Sequence, residues 1–102
     1  MIIKIENPQL VALYQGIDKG KSKYEESVKK RFRKTILMLQ NAESVPEIRK
    51  FRGLNFEALK GDLKGKYSVR VDHKYRIILR IEKEKILVED ILVVEDLTNH
   101  YR

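Results

Sequence analysis

The chain has no cysteine, only two histidines and two prolines, and no long apolar run. Each scarcity removes a class of function. Without cysteine there are no disulfides and no thiolate metal ligands, which suits a reducing compartment. His73 and His100 are far apart in sequence without ligand-like spacing, and no HExxH is present, so no metal site and no cofactor is expected. Nor is there a GxxxxGK followed by serine or threonine, the loop that cradles nucleotide phosphates. No run approaches the roughly 18 apolar residues a membrane span needs. The opening MIIKIENPQL lacks a basic region followed by an apolar stretch, so the expectation is a soluble, cytoplasmic protein without a membrane partner. With 102 residues and no linker or internal repeat, residues 1–102 are expected to form one domain around one core.

What the chain has in excess is positive charge. Twenty-two Lys and Arg face fifteen Asp and Glu, a formal net charge of +7. Such an excess attracts polyanions, and nucleic acid is the commonest of these. The charge is also segregated. The chain up to Arg80 is strongly basic, and the segment from Glu82 to Asp96 is net acidic.

Periodicity places this charge on elements. Ile2 to Glu6 alternates as a short strand. Asn7-Pro8 reads as a cap and first helical residue, with Leu10, Val11 and Tyr14 on one side and Gly16 as the stop. Ser22-Lys23-Tyr24-Glu25 matches a capping box. Beyond it Tyr24, Val28, Phe32, Ile36 and Leu39 recur at three- and four-residue spacing, which predicts an amphipathic helix to about Asn41. Its exposed side is expected to carry Lys29, Lys30, Arg31, Arg33 and Lys34, continuing the basic loop of Lys21 and Lys23. Few acids lie nearby to neutralise these cations, so the surface is read as a phosphate-binding one. Ser44-Val45-Pro46-Glu47 opens a further short helix that ends before Gly53, and Arg49 and Arg52 extend the basic surface.

The stretch LKGDLKGKYSVRVDHKYRIILRI, residues 59–81, gathers the remaining signals. Tyr67, Val69 and Val71 project to one face of a strand, and Tyr75, Ile77, Leu79 and Ile81 form the apolar row of the next. Asp72-His73-Lys74 between them suits a hairpin. Burying the shared apolar face leaves Arg70, Arg76 and Arg80 on the other, near Lys60 and Lys64 of a turn bracketed by Gly61 and Gly65. Ile86 to Glu95 reads as one more strand, bulged near Glu89 and Asp90. The order predicts an α+β fold, a mostly antiparallel sheet with the N-terminal helices on one side.

Lys, Arg, His and Tyr together are a set that can cleave RNA without a metal. The ribose 2'-hydroxyl must lose a proton, the phosphorus must be attacked in line, and the leaving 5' oxygen must gain a proton. Arginine stays protonated and grips phosphate oxygens in a fork. Lysine serves as a base only with a lowered pKa. Histidine, here His100, can donate or accept a proton, and Tyr101 offers a ring or a hydroxyl.

The same stretch resembles the LKGxxxGxWSIRVNxxYRIxF pattern of HigB-type toxins, the plasmid-maintenance killer group of the RelE/ParE superfamily. The resemblance implies a compact fold like that of microbial RNases and an enzyme that cuts mRNA in the ribosomal A site. It also implies a cognate antitoxin, usually a helix-turn-helix protein of HigA type, through which operator DNA is bound only indirectly. Lys60 matches the family's active-site lysine and Arg76 the arginine of YRI, while His100 and Tyr101 fall at its catalytic tail. Two departures stand out. Glu57 replaces a common histidine three residues before the lysine, and His100 precedes Tyr101 where the family commonly ends Asp-Tyr-His. The general base is therefore open among Glu57, Lys60 and His100.

The catalytic expectation is thus Lys60, Arg76, His100 and Tyr101. RNA contacts are expected at Lys21, Lys23, Lys29, Lys30, Arg33, Arg49, Arg52, Lys64, Arg70 and Arg80. Two rival readings use the same sequence, a ParE-like inhibitor of DNA gyrase and a non-catalytic basic RNA-binding module.

Overall fold

A computed structural model describes residues 1–18, 22–85 and 89–100. Its elements run β1 (Ile2–Ile5), α1 (Pro8–Gln15), α2 (Glu26–Asn41), α3 (Val45–Lys50), β2 (Glu57–Ala58), β3 (Tyr67–Arg70), β4 (Arg76–Glu84) and β5 (Glu89–Thr98), with single 3-10 turns at Arg52–Leu54 and Gly61–Leu63. The strands form one sheet in the order β1-β5-β4-β3-β2. All neighbours are antiparallel except β1 and β5, which run parallel. This is the expected α+β architecture, with two additions. The two-residue β2 is too short to leave a periodic trace, and the parallel pairing of the two chain ends joins segments that no local pattern connects.

One face of the sheet is covered. Leu10 and Leu13 of α1, Val28, Phe32, Ile36 and Leu39 of α2, and Ile48 of α3 pack with Val69, Ile77, Leu79, Leu92, Val94 and Leu97 in a single buried cluster. Spacings of three and four bring the α2 residues to one stripe, and alternation does the same for the strands. Leu13 takes the place expected for Val11, which is only half buried.

Helix ends show which local signals were sound. Asn7 accepts a hydrogen bond from the Gln9 N–H at 3.0 Å, and Ser44 Oγ accepts one from the Glu47 N–H at 3.3 Å. The expected capping box at Ser22 is absent. Ser22 Oγ accepts from the Tyr24 N–H, two residues on, and Glu25 becomes the N-cap of α2 without a side-chain bond. Tyr24 is drawn instead to the sheet, where its hydroxyl donates to the Leu97 carbonyl at 2.6 Å. Burial, with Asp96 and Tyr75 nearby, pushes that hydroxyl up to about 12.

The bulge also lies elsewhere than expected. Ile78 pairs with Asp96 and Leu79 with Val94, so the extra residue is Glu95 rather than Glu89 or Asp90. The slip has a packing reason. It lets Val94 and Leu97 both face the core while Glu95 turns to the opposite face, where Lys66 and Arg80 meet it. Residues 86–88, the expected start of this strand, lie outside the described residues. Among the described residues, no helix is long and apolar enough to cross a membrane.

Candidate functional site

The β3–β4 hairpin fixes where Arg76 begins its strand. Asp72 Oδ1 accepts from the N–H groups of Lys74 at 2.8 Å and Tyr75 at 2.7 Å, and the Val71 N–H donates to the Tyr75 carbonyl at 2.9 Å. Burial pushes the Asp72 carboxyl up, but the N–H bonds from Tyr75 and Lys74 outweigh it and hold the group below its usual range. Arg76 pairs with Arg70 on one side and Thr98 on the other. Ile77 faces the core, so the Arg76 side chain points to the face of the sheet opposite the helices.

There it leans towards β2. Nε donates to Ser68 Oγ at 2.8 Å, and Nη2 donates to the Asn55 carbonyl and, at 3.4 Å, to that of Ser68. Both Arg76 and Ser68 are buried, at 3% and 0% exposure. Asn55 closes the 3-10 turn in the left-handed region, with φ of 44°, a conformation asparagine tolerates better than most residues. Its carbonyl meets Arg76 while its side-chain Nδ2 donates to Glu57 Oε1 at 3.0 Å. Glu57 is itself the register partner of Ser68. Asn55, Glu57, Ser68 and Arg76 thus form one connected group, a fixed cation beside a carboxylate.

His100 approaches from the other flank. Thr98 is the partner of Arg76, and the His100 N–H donates to Thr98 Oγ1 at 2.9 Å. Lys60 is exposed at the start of the Gly61–Leu63 turn, just past the backbone bond from the Leu59 N–H to the Lys66 carbonyl. Gly61 and Gly65 take φ of 64° and 92°, so the turn needs glycine for its backbone path. This places Lys60 beside the Tyr67 end of β3, whereas Arg76 starts beside the Arg70 end, roughly 10 Å along the strand at the usual rise. The lean of Arg76 onto Ser68 narrows that gap. Tyr101 lies outside the described residues.

The expected RNA contacts divide sharply. Lys29 is not on the exposed side of α2. It is 3% exposed and pairs with Asp18 at 2.6 Å and Glu26 at 3.0 Å, and those bonds, Asp18 first, raise its pKa. The helix turns it inward because Val28 and Phe32 on either side face the core. Arg33 is half buried, its Nη1 donating to the Leu13 carbonyl at 3.0 Å and tying α2 to α1. Arg80 meets Glu95 and Glu6 at 2.8 Å and Glu82 at 3.0 Å. It is a structural cation, and these three carboxylates, Glu95 foremost, raise its pKa against the opposing effect of burial. Lys23, Lys30, Arg49, Arg52, Lys64 and Arg70 are exposed, with Lys23 over the Tyr24 ring and Arg49 over that of Phe56. Lys21 lies outside the described residues.

Sequence reasoning passed over Asn55 and Ser68. Nothing in LNFE or KYSV marks either, because their value comes from a carbonyl and a hydroxyl brought together by pairing of β2 with β3. Among the described residues, no group of three or more His, Asp or Glu is arranged to hold a metal ion.

The model of the RelE-like toxins of HigB type II toxin-antitoxin systems matches residues 4–93. Among solved structures, the chain is similar to the YoeB/ParE toxin from Agrobacterium tumefaciens, with 24% identity and a TM-score of 0.60 over 99% of this chain and 100% of that one. It is also similar to a chain of the YoeB-YefM complex from Staphylococcus aureus, with 17% identity and a TM-score of 0.57 over 99% and 98%. The YoeB dimer from the same organism gives 20% identity and a TM-score of 0.54 over 99% and 98%. At these identities the likeness is one of fold. A comparison with curated protein sequences gives no match.

Proposed function

Because the chain belongs to the RelE-like toxins of HigB type II toxin-antitoxin systems, we propose that it is an endoribonuclease that cuts messenger RNA on the ribosome. The observation that carries this reading is the linkage of Glu57 and Arg76 through Asn55 on the sheet face opposite the helices, with the His100 segment on the opposite flank.

In this reading Glu57 accepts the proton of the ribose 2'-hydroxyl as its oxygen attacks the adjacent phosphorus. Arg76 stabilises the charge that builds on the phosphorane oxygens, an effect of about 3 to 4 kcal/mol for one well-placed donor. His100 gives a proton to the departing 5' oxygen. The products carry a 2',3'-cyclic phosphate and a 5'-hydroxyl. Because Arg76 is 3% exposed, binding of the scissile linkage has to uncover it. Its bonds to Ser68 and Asn55 keep its fork in place meanwhile, which lowers the reorganisation needed in the transition state. Asn55 is a positioning residue that sets base and cation in one frame. Lys60 adds positive charge at the rim, and Tyr101 stacks on a base.

Lys23, Arg49, Arg52 and Lys64 hold ribosomal and messenger RNA, and the site of action is the cytoplasm. A helix-turn-helix antitoxin of HigA type restrains the enzyme and carries it to operator DNA. The test is cleavage in a translating extract, with end mapping. Cyclic phosphate ends formed without added divalent metal beyond what the ribosome requires are expected. Loss of gyrase supercoiling without RNA cleavage, or products ending in a free 3'-hydroxyl, would overturn the reading.

A further inference from the structure

Glu57 sits on the weakest strand of the sheet. β2 is Glu57 and Ala58 alone, at the sheet edge, paired with Ser68 and Tyr67 of β3. Past Ala58, a backbone bond from the Leu59 N–H to the Lys66 carbonyl at 2.9 Å extends the pairing. So short a ladder fixes its own register poorly, and a slip of one residue would turn Glu57 to the helix side, away from Arg76. The residue before Glu57 supplies a second constraint. Continuing the register sets Phe56 opposite Val69, on the face that Val69 and Tyr67 share. There its ring stacks on that of Tyr67, with centroids 5.2 Å apart and planes 20° from parallel, a diagonal pairing within reach of aromatic side chains across antiparallel strands. Arg49, in the last turn of α3, lays its guanidinium over the Phe56 ring, with Cζ 4.8 Å from the centroid. Phe56 and Tyr67 both pack against the core.

Adjacent side chains on an extended chain point to opposite faces, so a Phe56 ring held on the helix side leaves the exposed Glu57 on the side where Asn55 and Arg76 meet. We propose that Phe56 is a positioning residue for the cleavage reaction: its ring, held by Tyr67 and Arg49, locks the register of β2 and so aims the Glu57 carboxylate at the 2'-hydroxyl of the RNA. The slipped strand loses both ring contacts and the Glu57 geometry together, so the stack favours the one register in which the base faces the cation. Arg49 serves this clamp from the protein side while meeting RNA from the solvent side, and the test is therefore made on Phe56. The inference rests on the cleavage reading, with Glu57 as its base.

The test is single-turnover cleavage of ribosome-bound message by the full chain at rising toxin concentration, which separates the saturated rate from the half-saturating concentration. Phe56→Leu fills the space without a flat ring and should lower the saturated rate by about tenfold to a hundredfold, the scale of a displaced reacting group, with the half-saturating concentration within about threefold of wild type. Phe56→Tyr keeps the ring and should return the rate to within about threefold of wild type. Thermal melts check that both variants are folded. Because Phe56 acts through Glu57, adding Phe56→Leu to Glu57→Gln should cost less than about threefold beyond Glu57→Gln alone. Losses that multiply in the double variant, a change confined to the half-saturating concentration, or a wild-type rate for Phe56→Leu would each overturn the inference and leave the nuclease reading standing. Absence of cleavage by the wild-type chain would instead sink the nuclease reading, and this inference with it.

Discussion

Arg76 and Arg80 share one face of β4, with Ile78 between them, and they lead different lives. Arg80 is gripped by carboxylates of Glu6 just past β1, of Glu95 on β5 and of Glu82 on its own strand, and its charge is absorbed by the fold. Among its bonds to the described residues, Arg76 donates to the hydroxyl and carbonyl of Ser68 and to the carbonyl of Asn55. An array of carboxylates neutralises a guanidinium, whereas the hydroxyl and carbonyl oxygens of Ser68 and Asn55 orient one. The same division runs across the molecule. Lys29 and Lys66 belong with Arg80 as structural cations, and Lys30 and Arg70 are exposed ones. Position on a face decides which charges are neighbours, but the partners decide what each charge can do.

The comparison can be sharpened by substitution at either end of the sheet. Glu57→Gln should cut single-turnover cleavage by about a hundredfold to ten-thousandfold, the range for loss of a general base. The amide oxygen can still accept from Asn55, so the melting temperature should hardly move. A variant that cleaves at the wild-type rate would remove Glu57 from the reaction.

At the other end, Glu95→Gln should leave cleavage within a few-fold and cost stability of about 1.5 to 3 kcal/mol at pH 7, as expected when a charged acceptor is lost. Burial pushes the Glu95 carboxyl up, but bonds from Lys66 and Arg80 outweigh it, so the folded pKa lies below the ordinary 4.5. A depressed carboxylate contributes stability in full above the unfolded value, and that contribution is lost as pH falls through the folded one. Wild-type protein should therefore lose stability on acidification below about pH 4.5, and Glu95→Gln should show a shallower loss in denaturant titrations across that window. Equal slopes would mean that the network does not shape the acid response.

Asn55→Ala should lower the cleavage rate about tenfold and destabilise by about 1 to 2 kcal/mol, because a side chain in the left-handed region is strained. Asn55→Gly keeps that backbone path but loses the amide bond to Glu57. It should recover most of the stability and little of the rate, a split visible by pairing melts with kinetics. Lys60→Ala should have the smallest effect among the site residues, a loss of about three- to tenfold, since an exposed cation at the rim acts through solvent. A loss as large as that of Glu57→Gln would make Lys60 the base instead.

Much of this architecture was readable from local patterns. The α2 stripe, the Asn7 and Ser44 caps, the hairpin and its apolar row all follow from periodicity and turn chemistry, and the structure places them as expected. Errors cluster where a distant partner overrides a local preference. Ser22 fails as an N-cap because Tyr24 is pulled to the Leu97 carbonyl, and the bulge moves to Glu95 because Lys66 and Arg80 wait on that face. Lys29 read as solvent-facing because no sequence pattern shows that Asp18 would fold back over it. For the candidate site, Arg76 stood out through its alternation and its place in the resemblance, while Ser68 acts through a hydroxyl and Asn55 through its carbonyl and an amide bond to Glu57, none of which a sequence pattern marks.

The most direct test of the division between the two arginines is the rate at which Arg76→Ala and Arg80→Ala cut ribosome-bound message in a single turnover, each protein first shown to be folded. The account predicts a loss of about a hundredfold to a thousandfold for Arg76→Ala, and a rate within threefold of wild type for Arg80→Ala. Equal losses in the two variants, or a wild-type rate for Arg76→Ala, would contradict it.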